Sequence, residues 1–289
     1  MSLCAISGLR EVRNDFDGFI LDLWGLVHDG EKPYPPSADT LRALKESGKK
    51  TLLLSNAPRR AHALIEAMTK MGIGRDLYGE VLSSGEATRA ALIAKDDPFF
   101  AGLGQTVYHL GPERDRSVFE DTGLTVVPAL ADAAFILNTG PSNLDDTVED
   151  YLPVLEEGAT RALPMVCANP DFVVIRGGRA IVCAGAIAAR YKSLGGQVAL
   201  RGKPDPKIYR LAIERLGVDP RRVAVVGDAL ETDVKGARAS GLASIWCTGG
   251  IHAEALGVVY GRAADPAQAE ALAAKEGQMP TYMIPGFYW

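Results

Sequence analysis

The chain has 289 residues, 47% of them hydrophobic and 23% charged, with a formal net charge of −5. That balance suits a globular protein with a sizeable core and excludes a basic surface for nucleic acid. No run of about 18 apolar residues is present, so neither a membrane nor nucleic acid is an expected partner.

The chain opens with no basic-then-apolar leader, and no signal peptide is expected. The four cysteines, Cys4, Cys167, Cys183 and Cys247, are widely spaced and form no CxxC pair. Free thiols in a reducing, cytoplasmic setting are expected, not disulfides or a zinc site. Gly18-Phe19-Ile20-Leu21 reads as a buried strand ending in a carboxylate, Asp22. A helix follows from Ser37 to Ser47, with Leu41 and Leu44 on one face and Gly48 closing it. Thr51-Leu52-Leu53-Leu54 is a second buried strand, ending at Ser55-Asn56, and a helix from about Arg59 to Met71 follows it.

The middle of the chain carries strand candidates at 106–110, 135–138 and 165–168. Helices are expected at about 144–157 and 184–194. Residues 173–182 read as a hairpin turning at Gly177-Gly178. Val223-Ala224-Val225-Val226 is again continuously apolar and ends at Gly227-Asp228. A helix from about Thr232 to Ser240 and a strand Ala243–Cys247 follow. The aromatic tail Tyr282–Trp289 is expected to dock on the core or on a second subunit, so a homodimer stays open.

Continuous apolar strands imply burial on both faces, as in a parallel sheet between helix layers. The expected fold is α/β: a doubly wound, Rossmann-like parallel-sheet core from residues 1–86 and 201–289, with an inserted α/β cap domain over 87–200. Ligands of such sheets bind at the C-terminal strand ends. Asp22, Ser55 and Asp228 all stand there.

A carboxylate at a strand end, with Gly25 three residues on, can attack phosphorus or bind a metal. Lys203, in Gly202-Lys203-Pro204-Asp205-Pro206, precedes a proline and so belongs to a loop, with a helix starting near Pro206. Its ammonium suits neutralisation of a phosphoryl group and a nearby carboxylate. Asp228 and Asp233, at a strand end and a helix start, can flank one hard cation. Asp233 alone would also read as a first-turn helix acid.

In order and spacing these segments resemble the haloacid dehalogenase superfamily. The relevant residues are Asp22, Ser55, Lys203, and Asp228 with Asp233. Leu54-Ser55-Asn56-Ala57-Pro58, Ser83-Ser84-Gly85-Glu86, Ala168-Asn169-Pro170-Asp171 and Ala184-Gly185-Ala186 narrow the resemblance to its class IIA group of predicted sugar phosphatases and nitrophenyl phosphatases. The resemblance implies that Asp22 is the nucleophile, that Ser55 holds a phosphoryl oxygen with Asn56, and that Lys203 offsets charge. It implies Mg²⁺ held by Asp22, the Trp24 carbonyl and Asp228, with Asp233 nearby. Asn169 and Asp171 become candidate substrate contacts, and the substrate a small phosphorylated metabolite.

One position departs from the pattern. The phosphatases of that superfamily carry a general acid/base aspartate two residues after the nucleophile, where this chain has Trp24. An aromatic residue there also occurs in the metal-independent dehalogenases. Three readings therefore stand: a Mg²⁺-dependent phosphatase, a metal-independent dehalogenase-like hydrolase, and a catalytically weak phospholigand-binding protein. The intact acidic segment weighs toward the first.

Overall fold

The structure, a computed structural model, describes residues 3–95 and 97–289. Fourteen strands occur among them: β1 Cys4–Ala5, β2 Gly18–Leu21, β3 Lys50–Ser55, β4 Glu80–Ser83, β5 Thr106–Leu110, β6 Thr125–Val126 and β7 Phe135–Asn138, then β8 Met165–Cys167, β9 Val173–Arg176, β10 Arg179–Val182, β11 Val198–Leu200, β12 Val223–Gly227, β13 Ala243–Cys247 and β14 Tyr282–Ile284. They form a seven-stranded sheet in the order β1-β14-β13-β12-β2-β3-β4, a five-stranded sheet β11-β8-β7-β5-β6, and the hairpin β9-β10. Every pairing in the two larger sheets is parallel.

Side chains of the large sheet alternate between two cores, as a two-residue strand period requires. Phe19, Leu21, Leu53 and Val226 pack into one apolar cluster. Ile20, Leu52, Leu54 and Val225 pack into the other, on the opposite face. The first cluster is covered by the helices Ser37–Glu46 and Ala61–Lys70, the second by Pro206–Leu216. The smaller sheet has its own pair of clusters, built around Ile136 and Tyr191 on one side and Phe135 and Phe100 on the other.

Chain order within the large sheet runs outward in both directions from its centre. From β2 it steps to β3 and β4; from β12 it steps to β13 and β14. The β2/β12 pair is thus the switch point of the sheet, where the loops leaving the strand ends part and open a crevice.

Two of the expected helices differ from the sequence reading, and the helices Ser84–Ala94 and Pro266–Lys275 were not read from sequence. The helix expected over 144–157 is a 3₁₀ turn Glu149–Tyr151 followed by Leu152–Thr160. Asp146 and Asp150 side chains accept backbone N–H groups of Asn143 and Thr147 at 2.9 and 2.7 Å, holding the preceding segment in turns, and Pro153 suits the first helical turn. The helix expected from Thr232 begins instead as a π turn, Leu230–Val234, before the short helix Lys235–Ala239. The wide turn lets Asp233 face inward, where it is buried.

The tail docks on the core. Strand β14 pairs with β13 and β1, Phe287 is fully buried, and its carbonyl accepts the Thr40 hydroxyl at 2.8 Å. Phe287→Ala is therefore expected to cost about 3–5 kcal/mol, measurable as a lowered urea midpoint with an unchanged slope.

Candidate active site

Asp22 stands one residue beyond β2 and Asp228 one residue beyond β12. The strands pair with Leu21 beside Val226, and the Asp22 N–H donates to the Val226 carbonyl at 2.9 Å. Neighbouring strands lie about 4.8 Å apart, so backbone pairing alone sets the two carboxylates side by side. Lys203 reaches them from the loop ahead of the helix Pro206–Leu216. Its Nζ lies 2.7 Å from Asp22 Oδ1 and 2.8 Å from Asp233 Oδ1, and its side chain is only 2% exposed.

The remaining oxygens are held selectively. Asp22 Oδ1 also accepts the Leu23 N–H at 2.7 Å. Asp233 Oδ2 accepts the Ala229 N–H at 3.2 Å, and Asp228 Oδ2 accepts the Ile251 N–H at 2.7 Å. Asp22 Oδ2 and Asp228 Oδ1 accept no hydrogen bond among the described residues. Both oxygens of Asp233 are engaged, which makes it the anchor of Lys203.

Three buried carboxylates against one ammonium leave excess negative charge. Burial, then the charge of Asp233, pushes the Asp22 carboxyl well above its usual range, against the pull of Lys203. The same two causes raise Asp228 from 3.8 to about 7. Burial works against the Lys203 ammonium, but Asp22 and Asp233 hold it well above its ordinary range. One oxygen from each of Asp22, Asp228 and Asp233 can lie within 4.8 Å of the others. An all-oxygen, electron-rich donor set of this kind fits a hard divalent cation.

Glycine keeps the cluster open. A Cβ on Gly25, at φ +80°, would fall 1.9 Å from Asp228 Oδ2, and one on Gly250 would fall 2.2 Å from it. Any side chain at either position would displace the carboxylate.

Ser55 ends β3, next to β2 in the sheet. Its Oγ accepts the Ala57 N–H at 3.2 Å, which leaves the hydroxyl hydrogen free to donate. Asn56 is spent on scaffolding. Its Oδ1 accepts the Lys203 N–H at 2.7 Å, and its Nδ2 donates to the Lys203 carbonyl at 3.1 Å and to Asp171 Oδ1 at 2.8 Å. Asn169 Oδ1 accepts the Asp171 N–H at 3.0 Å. The turn leaving β8 is thereby docked on the loop that carries Lys203, and Asn169 and Asp171 line the same cleft as Asp22.

Trp24 is directed across this cleft. Its Nε1 donates to the Ile175 carbonyl of β9 at 2.6 Å, and its ring meets His28 edge-on at 5.6 Å. His28 is buried, which lowers it to about 4 and keeps the imidazole neutral at pH 7. Its Nδ1 accepts the Gly30 N–H at 3.0 Å, and Asp29 Oδ1 accepts the N–H groups of Glu31 and Lys32 at 2.9 and 2.8 Å. These two residues shape the loop that carries Trp24 over the site.

The cleft encloses about 630 Å³ between the two sheets. One wall came with no reading from sequence: Gly249, Gly250, Ile251 and Val258–Tyr260, from the loop after β13. Tyr260 donates to the Leu26 carbonyl at 2.6 Å, accepts the Phe287 N–H at 2.8 Å and stacks on Tyr34 at 3.6 Å. The available signal was Gly249-Gly250, a second glycine-marked strand end beside Gly227-Asp228.

A doubly wound sheet with buried acids at its switch point, under an inserted α/β segment, defines a capped hydrolase. Residues 19–125 match the family model described as haloacid dehalogenase-like hydrolase, and residues 200–275 match a related HAD-hydrolase-like model. A crystal structure of a haloacid dehalogenase-like hydrolase from Brucella suis is 30% identical, with 98% of this chain and 99% of that one covered and a TM-score of 0.84. The p-nitrophenyl phosphatase from Archaeoglobus fulgidus is 26% identical, covering 94% and 97% of the two chains with a TM-score of 0.69. Chronophin of Rattus norvegicus is 28% identical over 261 residues, 85% of this chain and 80% of the relative. The chain belongs to the haloacid dehalogenase-like hydrolases, in the capped class IIA group of phosphatases that includes the nitrophenyl phosphatases.

Removing the ammonium should expose the repulsion it offsets. Lys203→Met is expected to destabilise the fold by about 3–5 kcal/mol, because breaking a buried ion pair strands its partner charges. The loss should be larger at pH 8 than at pH 6, since the carboxylates can take up protons at the lower pH. Denaturant unfolding at the two pH values measures both.

Proposed function

We propose that this protein is a cytoplasmic, Mg²⁺-dependent phosphatase of a small phosphorylated metabolite, acting through an aspartyl-phosphate on Asp22. The observation that carries this reading is the excess of buried carboxylate over ammonium at the sheet switch point. A metal-independent route would leave Asp228 facing the charge of Asp233 with only Lys203 to offset both, so the same charge balance favours the metal-dependent reading. The three buried cysteines are unpaired, as is Cys4, which supports a reducing compartment.

Asp22, Asp228 and the Trp24 carbonyl would hold the ion, with Asp233 beside them. Bound there, Mg²⁺ would polarise the phosphoryl oxygens and offset their charge. One oxygen of the Asp22 carboxylate would attack phosphorus while the other faces the ion; Oδ1 is held by Lys203 and the Leu23 N–H, and Oδ2 accepts no hydrogen bond among the described residues. As the new O–P bond forms, the bond to the leaving oxygen breaks. Ser55 would donate its hydroxyl hydrogen to a phosphoryl oxygen, and Lys203 would stabilise the charge gathered on Asp22 and phosphate. Water then cleaves the aspartyl-phosphate and returns the carboxylate.

No proton comes from residue 24. The indole N–H is committed to Ile175, and neutral His28 accepts rather than donates through Nδ1. Leaving groups that depart without protonation should therefore be preferred, because general acid catalysis is worth about 10²–10⁴-fold.

Hydrolysis of 4-nitrophenyl phosphate should require Mg²⁺ and fall to background in Asp22→Asn. Binding of nitrophenyl phosphate with no turnover by the wild type would instead identify a phospholigand-binding protein. Trp24→Asp should raise the ratio of alkyl phosphate to nitrophenyl phosphate turnover; an unchanged ratio in a folded variant would refute the assignment of position 24. The metal should also report the raised acid. Between its ordinary 3.8 and about 7, folded Asp228 holds a proton that the unfolded chain has lost. Stability of the metal-free protein therefore falls as pH rises through that window. Mg²⁺ displaces that proton, so the rise in Tm at millimolar Mg²⁺ should be larger at pH 8 than at pH 6, as thermal unfolding would show.

A further inference from the structure

The Asp22 cleft has a second charged group of residues that the chemistry above does not use. Arg59 comes from the loop after Asn56, Arg114 and Asp115 from the 3₁₀ helix Glu113–Phe119, and Arg176 from the end of β9; all four line the cleft. Their ion pairs are loose. Arg59 Nε is 3.4 Å and Arg114 Nε 3.9 Å from the same oxygen, Asp115 Oδ1, and Arg176 Nε is 3.7 Å from Glu31 Oε1.

None of these contacts is a hydrogen bond. Among the described residues, Arg59 Nε, Asp115 Oδ1 and Arg176 Nε are buried polar atoms without a hydrogen-bond partner, a costly state that native structures seldom leave unanswered. Asp29, on the same wall, turns its Oδ1 to the N–H groups of its own loop. With Asp29 also on this wall, the three guanidinium groups form these loose ion pairs with two carboxylates, Asp115 and Glu31, and two of the three compete for one. The mutual proximity is also visible in Arg59, which burial, and then the charges of Arg114 and Arg176, lower against the pull of Asp115. A purely structural network between the two sheets would be expected to close into bidentate pairs, as arginine and carboxylate geometry favours.

We infer that Arg59, Arg114 and Arg176 form a subsite for a second anionic group, carboxylate or phosphate, carried on the leaving-group side of the substrate. The inference rests on the phosphatase reading and narrows its substrate class to esters with two anionic ends. The phosphoryl group would be held at Asp22, Ser55 and Lys203, and the three guanidinium groups, which line the cleft beyond them, would take the far end. Planar forked donors suit either oxyanion. The protein would then discriminate by the second charge rather than by the ester bond, because loosely paired guanidinium groups favour an anion over a neutral analogue.

Calorimetric binding to the intact protein tests this with matched pairs. Phenyl phosphate is compared with its 3- and 4-carboxy derivatives, and propane-1,3-diol monophosphate with the bisphosphate. The wild type should bind at least one doubly anionic member about tenfold or more tightly than its partner, the scale of a charge-assisted hydrogen bond. Whichever pair shows the preference identifies carboxylate or phosphate as the second anion. The preference should weaken with salt and shrink toward unity in Arg114→Gln and in Arg176→Gln, with Arg114→Lys retaining part of it. The Arg114 side chain is 54% exposed, so its substitution leaves packing intact, and circular dichroism checks both variants. Equal affinity within every pair, or a preference that survives both substitutions, overturns the subsite. Mg²⁺-dependent turnover of nitrophenyl phosphate by the wild type reports separately on the phosphatase reading, so the two can fail independently.

Discussion

The site depends on one ammonium group. Lys203 Nζ is shared between Asp22 and Asp233 in a setting almost closed to water. A single charge cannot neutralise two carboxylates, and Asp228 adds a third nearby. The surrounding structure can be read as the means of holding these like charges together. Backbone pairing of β2 with β12 fixes two of them, and the π turn after β12 brings in the third. Asn56 grips the Lys203 backbone from both sides. Burial makes each pairwise term strong and the residual negative charge costly, which favours a divalent cation at the cluster.

The same loops join the two sheets. Asn56 connects the Lys203 loop to Asp171, and Trp24 connects the Asp22 loop to β9 through a hydrogen bond to Ile175. The position of the upper segment is therefore tied to residues within a step or two of Asp22 and Lys203. Trp24 takes a structural part at a position where relatives of this superfamily, by the resemblance of the motifs, carry a proton donor. The indole N–H is committed to a cross-sheet contact with the Ile175 carbonyl. On the far wall the loosely paired guanidinium groups give the cleft a polarity opposite to that of the acid cluster.

Much of this arrangement is legible in the sequence. Continuous apolar runs at Gly18–Leu21, Thr51–Leu54 and Val223–Val226 state a parallel sheet, and a polar residue within two positions of each end states where its mouth lies. The Gly177-Gly178 turn states the hairpin, with Arg176 paired to Arg179 across it. These features are local, because strand period and turn chemistry act over a few residues. Sequence determined less well where side chains compete with the helix pattern, as at Asp146 and Asp150, whose backbone hydrogen bonds delay the helix to Leu152.

Tertiary structure alone decided partnership. Lys203 lies 181 positions from Asp22 in sequence yet 2.7 Å away in space; its local string marks it as a loop lysine, and only the packing pairs it with both Asp22 and Asp233. It likewise decided that Asn56 serves the scaffold, that Trp24 reaches Ile175, that the tail completes the large sheet, and that Arg59, Arg114 and Arg176 meet on one wall. Each of these outcomes depends on how sheets and loops pack across long separations. Residue type and spacing state which groups can bear charge or donate a hydrogen bond; which partner they meet is set only when the strands take their order and the chain closes over them.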